Sequence, residues 1–143
     1  DYKNNRHHYK RQKNDIKNYS DRSRIRALQL LTMIDPTKLH IPHFVTLTYH
    51  DNYPTDAATI KTDLDAFLKR FSRAAPNAYY FWRIELQQRG APHYHLILWV
   101  DRSRPPFSVG YLTNLMRNIW TSHNGCNCSY CRSNAVRVDI VDN

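Results

Sequence analysis

The run from Tyr79 to Val100 constrains the fold more than any other part of the chain. Two stretches of alternating pattern meet at Arg89-Gly90-Ala91-Pro92, where Gly90 is free to take φ > 0. The run reads as a β-hairpin with strands over 79–87 and 92–100. Successive side chains of a strand leave opposite faces. Trp82, Ile84, Leu86, Tyr94, Leu96, Leu98 and Val100 therefore share an almost wholly apolar face that must pack on helices. Phe81, Arg83, Glu85, Gln87, His93, His95 and Ile97 share the other, which is polar near the turn.

Glu85 meets the histidine face only if the loop holds an odd number of residues, and a three-residue loop with a glycine bulge fits. Glu85 then stands opposite His93 or His95. Two imidazoles and a carboxylate converge, which is a divalent-metal constellation, with Gln87 on the same face as a further ligand or a partner behind the ligands. Taken alone, His-x-His on a strand is as readily two ordinary exposed histidines. The carboxylate beside it and the dry opposite face favour the metal. These donors do not name the ion, since the same set serves non-haem iron oxygenases and hydrolytic zinc.

Charge narrows the partner. The formal net charge is +9, and residues 1–26 carry nine Lys and Arg, among them Lys10, Arg11 and Lys13, against three Asp. Most of the excess thus sits in an N-terminal arm, residues 1–20, that suits a polyanion. Tyr2, Tyr9 and Tyr19 are interleaved with the basic residues and suit stacking on unpaired bases. A solvated tail is the plainer alternative. An iron oxygenase or metallohydrolase unrelated to DNA leaves this arm unexplained. No apolar run approaches about 18 residues, so no membrane span is expected.

At 143 residues the chain suits one folded domain after the arm. Periodicity predicts a helix over 21–34 with Ile25, Leu28, Leu31 and Thr32 on one stripe, then a strand over 44–49. A helix capped by Thr55 or Asp56 runs to about Arg73, its stripe being Ile60, Leu64, Phe67, Leu68 and Phe71. Ser108 caps another helix, to Trp120, with Leu112, Leu115 and Ile119 inward and the Tyr111 ring completing the core. Residues 135–141 alternate as a half-buried last strand. The order helix, β, α, β, β, α, β predicts an α+β split α/β sandwich, ferredoxin-like or RRM-like: an antiparallel sheet with helices on one face and the metal face open.

His123, Cys126, Cys128 and Cys131 fall within nine positions and gather all three cysteines of the chain. Four N and S ligands in a short loop suit structural tetrahedral Zn²⁺. Nearby free thiols are an adequate alternative. The odd cysteine count argues against paired disulfides and for a reducing compartment.

Glu85, His93 and His95 within "ELQQRGAPHYHLILW" resemble the second motif of the HUH endonucleases, the rolling-circle replication initiators of phages, plasmids and circular single-stranded DNA viruses. "FVTLTYH", residues 44–50, resembles their first motif, and the likeness spans roughly residues 43–142. Its order suits a replication initiator (Rep) better than a relaxase, whose motifs are permuted. A relaxase or single-strand transposase of the superfamily, and a non-catalytic origin-binding module, remain as alternatives. The resemblance implies Mg²⁺ or Mn²⁺ at Glu85, His93 and His95, single-stranded origin DNA as partner with contacts from Arg83 and Arg89, and the host replication machinery beyond it. It implies nicking by a tyrosine, leaving a 5′-phosphotyrosine and a 3′-OH primer. That tyrosine, followed by a lysine three or four residues on, is absent: Tyr111 and Tyr130 follow the histidines, and Lys69 is the last lysine. The nucleophile helix is expected beyond Asn143, so that 21–143 would be the domain without it and inactive alone. The setting implied is a bacterial cytoplasm, or the host nucleus for a eukaryotic virus.

Overall fold

A computed structural model describes residues 20–35, 41–100 and 108–141. The arm residues Lys10, Arg11 and Lys13 and the Arg104-Pro105-Pro106 stretch lie outside the described residues. The chain divides into two units, residues 1–35 and 36–143. In the first, α1 (Asp21–Thr32) begins at Ser20, whose hydroxyl accepts from the Ser23 N–H at 3.2 Å. The helix forms where its periodicity predicts, but none of its residues is buried.

The second unit runs β1 (His43–Thr48), α2 (Ala57–Ala74), β2 (Tyr79–Leu86), β3 (Pro92–Trp99), α3 (Val109–Asn124), α4 (Ser129–Asn134) and β4 (Val136–Ile140). The strands make one antiparallel sheet in the order β2-β3-β1-β4, the α+β sandwich that the element order predicts. Asp56 starts α2 by accepting from the Thr59 N–H at 2.8 Å, and these hydrogen bonds hold its carboxyl below the usual range. Val45, Leu47, Tyr94, Leu96, Leu98 and Val136 line the covered sheet face and are buried against Leu64, Phe67 and Phe71 of α2 and Leu112, Met116 and Trp120 of α3. Each such burial contributes about 1.5–3 kcal/mol.

On α3 the inward row differs from the expected one. Leu112, Met116 and Trp120 are buried, whereas Leu115 and Ile119 are only partly covered. Trp120 is the largest side chain fully buried, and its indole N–H donates to the Thr48 carbonyl at 2.9 Å, which fixes the rotation of the helix. Tyr111 is accordingly not a core residue. One position before Leu112 it is turned about 100° away, and it is 49 % exposed. The helix also runs past Trp120 to Asn124, because the left-handed residue that ends it is Gly125, at φ 70°. The short α4 lies where a loop is expected. Among the described residues no helix is long and apolar enough to cross a membrane.

Candidate metal and DNA-binding face

The hairpin turn sets the register of the site. The Gly90 N–H donates to Gln87 O at 2.8 Å and the Gln87 N–H to Ala91 O at 2.9 Å, leaving residues 88–90 as a three-residue loop. Gly90 takes φ 82°, the bulge conformation that glycine alone adopts cheaply. Glu85 consequently pairs with His93 and Arg83 with His95. On the other side of β3, Thr48 of β1 pairs with His93 and Thr46 with His95. The sheet face away from the helices thus presents Glu85, both histidines and both threonines in adjacent rows.

Hydrogen bonds fix each ring. His93 Nε2 lies 3.0 Å from Thr48 Oγ1 and 2.8 Å from the Gln87 amide nitrogen. Arg89 Nε donates to Gln87 Oε1 at 3.0 Å, which orients that amide with its NH₂ toward the imidazole. His93 Nε2 is therefore the acceptor and the ring proton sits on Nδ1. His95 Nε2 lies 3.0 Å from Glu85 Oε2 and its Nδ1 lies 3.2 Å from Thr46 Oγ1. The complementary tautomer follows, with Nε2–H donating to the carboxylate and Nδ1 accepting from the hydroxyl. Phe44 stacks on the His95 ring, centroids 5.4 Å apart. Burial pushes the pKa of both histidines down; the His95 ring and the Arg89 guanidinium add to this at His93, and Arg83 adds at His95. Neutral imidazole, the form that ligates metals, is thereby favoured.

Two neutral imidazoles and a carboxylate on an open face fit a divalent cation in donor chemistry. The donors are aligned but not gathered on one point: Arg83 holds the Glu85 carboxylate in an ion pair, and Gln87 is committed to His93. The two arginines differ in placement. Arg83 lies on the open face, whereas Arg89 turns inward, donating to the carbonyls of Tyr49 (2.5 Å) and His50 and lying over the Tyr53 ring at 5.2 Å. Arg89 clamps the hairpin turn to the end of β1.

Among the described residues one group of His, Cys, Asp or Glu has its ligand atoms within 4.8 Å of one another: His50, Cys126, Cys128 and Cys131. The three cysteines are together as their spacing predicts, but His123 is not with them. Its Nε2 lies 2.9 Å from Asp63 Oδ1, and that carboxylate also accepts from the Tyr49 hydroxyl. A last-turn residue of α3 faces α2, and the loop after Gly125 has already left that side. The expectation against disulfides also needs correction, for Cys126 is bonded to Cys131 and Cys128 is free. The turn of α4 brings the two Cα atoms to 6.3 Å, within reach of such a bond.

Thr46, Thr48 and His50 escaped the sequence reading as site residues. The threonines share the two-residue spacing of His93 and His95, which is the one local signal for them. His50 carries none, since only the sheet order brings it to the cysteines.

Residues 42–138 match the ORF2-type family described as Replication-associated protein, a span that runs from the start of β1 through the hairpin and into β4. No curated protein and no solved structure matches the chain. The family match covers well over half the sequence and contains every residue of the open face described above, so the chain belongs to this replication-associated protein family and is a rolling-circle Rep-like protein.

Proposed function

We propose that the chain is the metal- and DNA-binding core of a replication initiator that nicks single-stranded origin DNA at Glu85, His93 and His95. The observation that carries this is the pairing of Glu85 with His93, with His95 two residues on, on an uncovered sheet face of a protein of this family. A Mg²⁺ or Mn²⁺ ion bound there would supply Lewis-acid polarisation of the scissile phosphodiester. Thr46 and Thr48 hold the rings in fixed tautomers, and the Gln87 amide, itself held by Arg89, fixes the His93 ring. A shallow hollow lined by Phe44, Phe81, Arg83, Glu85, His95 and Ile97 adjoins them. Its apolar floor suits an unpaired base and its guanidinium the neighbouring phosphate.

The attacking oxygen is that of a tyrosine, which would become the 5′-phosphotyrosine and free a 3′-OH primer. We assign it to neither Tyr111 nor Tyr130, which lack the following lysine. Origin DNA and the host replication machinery are the partners, and Lys10, Arg11 and Lys13 add phosphate contacts.

Calorimetric titration of Mn²⁺ into wild type and His95→Ala tests the site, and equal affinities would remove it. Incubation with origin-like single strands and Mn²⁺, read on a denaturing gel, tests the chemistry. A covalent adduct lost on Tyr111→Phe or Tyr130→Phe would make that residue the nucleophile. Absence of cleavage by a C-terminally extended chain, with salt-sensitive binding retained, would leave an origin-binding module instead.

A further inference from the structure

We propose that His50, Cys126, Cys128 and Cys131 form a structural zinc site that locks the end of β1 to the loop between α3 and α4. His50 is far from the three cysteines in sequence, yet the ligand atoms of all four residues lie within 4.8 Å of one another. Cys126 Sγ and Cys128 Sγ are 3.4 Å apart, and Cys128 Sγ is 3.3 Å from His50 Nδ1. Tetrahedral zinc, with bonds of about 2.3 Å to sulfur and about 2.0 Å to nitrogen, sets its ligand atoms about 3.5–3.8 Å apart. These two separations are within a few tenths of an ångström of that, whereas the Cys126 and Cys131 sulfurs, bonded to each other, would have to part to take the ion. Three sulfurs and one imidazole are a soft, closed set, which selects zinc over Mg²⁺ or Mn²⁺ and leaves no coordination position for a substrate.

The surroundings are those of a ligand set. His50 presents Nδ1 to the sulfurs and Nε2 to Asp51 Oδ1 at 3.4 Å, the carboxylate on the far nitrogen that orients ligating histidines. The ring is stacked on Tyr130 at 4.3 Å and 18°. The Cys131 N–H donates to Cys128 Sγ at 3.3 Å, an interaction that strengthens when the sulfur is a thiolate. Asn124 Oδ1 accepts from the Cys126 N–H at 3.0 Å and holds the loop after Gly125 in its turn. Cys131 is buried and the other three ligands are half-buried.

The Cys126–Cys131 disulfide uses two of the same sulfurs, so disulfide and zinc exclude one another. A disulfide needs neither Cys128 nor His50, and it gives no reason for an imidazole backed by a carboxylate to face the remaining thiol. Zinc accounts for all four residues at once.

The consequence reaches the hairpin. Thr48, which faces His93, lies two residues before His50, and Arg89 ties the His50 carbonyl to Gln87. Zinc would stiffen the strand end on which the open face is built without touching that face. The zinc site holds or falls independently of nicking.

The test is metal content. Protein purified under reducing conditions and passed through a weak chelator should keep about one zinc per chain with all three thiols unpaired on mass spectrometry. Cys128→Ser and His50→Ala should lose it and melt earlier, whereas His123→Ala keeps it. Should His50→Ala fail to fold, His50→Cys restores a four-ligand set and should retain zinc. In the Co²⁺-substituted wild type, thiolate charge-transfer bands with intense tetrahedral d–d bands are expected, red-shifted in His50→Cys. A zinc-free wild type carrying the Cys126–Cys131 disulfide under these conditions overturns the proposal, as does zinc that survives His50→Ala and is lost in His123→Ala.

Discussion

The two arms of the hairpin have the same length and comparable alternation, yet they end in different environments. β3 alternates buried and half-buried residues without a break, with Tyr94, Leu96 and Leu98 fully buried. β2 has no buried residue, and its apolar Leu86 and Tyr79 are 67 % and 64 % exposed. The cause is position. β3 lies between β2 and β1 under the helices, whereas β2 is the edge of the sheet. The candidate site therefore has a fixed side and a loose one. His93 and His95 ride on the buried strand, and Glu85 and Arg83 ride on the edge. A carboxylate that must leave Arg83 to meet a cation is better carried by the adaptable strand, while the imidazoles gain from a rigid one.

The largest contrast should appear in stability. Leu96→Ala on β3 is expected to cost about 2–5 kcal/mol, the cavity range for a buried leucine. Leu86→Ala on β2, the same chemical change on the same sheet face, is expected to stay within about 0.5 kcal/mol. Urea unfolding measures both. Comparable losses would mean that β2 is covered in solution, and the difference between the arms would vanish.

Metal affinity probes the same asymmetry at the site. Gln87→Ala removes the amide that fixes His93 and should weaken Mn²⁺ binding by about 10–100-fold, as loss of a partner behind a ligand does. Arg83→Gln should move it the other way, because it frees Glu85 from its ion pair. Calorimetry on both variants decides; weaker binding in Arg83→Gln would show that the guanidinium positions the carboxylate rather than competing for it.

The turn that joins the arms comes next. Gly90 at φ 82° has open space around a would-be Cβ, so Gly90→Ala meets no clash and reports backbone strain alone. The expected cost is about 1–2 kcal/mol. A smaller change on thermal melting would mean that the loop relaxes, and Glu85 would then lose its fixed register with His93.

The contrast between β2 and β3 also marks what the sequence carried. Side-chain alternation assigned Glu85, Gln87, His93 and His95 to one face correctly, because strand period and an odd loop count decide it locally. Ser108 was readable as a cap, and of Thr55 and Asp56 it is Asp56 whose carboxylate reaches the Thr59 N–H. What alternation does not carry is which strand is central, and so the exposure of β2 was not foreseen. The inward row of α3 was misread because Trp120 outweighs the leucines in filling the core. His50 was invisible beside the cysteines because 75 residues of chain lie between it and Cys126, and sheet order closes that gap.

The smallest effect expected is on the pH dependence of stability, and it again falls on the buried strand. Burial holds the pKa of His93 and His95 below the ordinary histidine value of about 6.5. As pH drops below that value the unfolded chain takes up protons first, so folding stability declines. The contribution of these rings is complete above about pH 6.5 and is lost as pH falls through their lowered values. At His95 the Glu85 carboxylate, 3.0 Å away, opposes the shift, and the Arg83 ion pair on that carboxylate offsets the opposition. His93 has the neutral Gln87 and Thr48 as hydrogen-bond partners instead, and the His95 ring and then Arg89 add to its shift, so it should carry the clearer dependence. Both rings are partly open to solvent, which keeps the effect small. Denaturant unfolding at pH 7.5 and 5.5, with chelator present so that only protons compete, should show wild type losing more stability on acidification than His93→Gln. The histidines outside this pair are common to both proteins and cancel, and loss of the His93 ring also removes its coupling to His95. Equal losses would mean that water reaches the ring freely, and that β3 holds its open face less rigidly than its buried one.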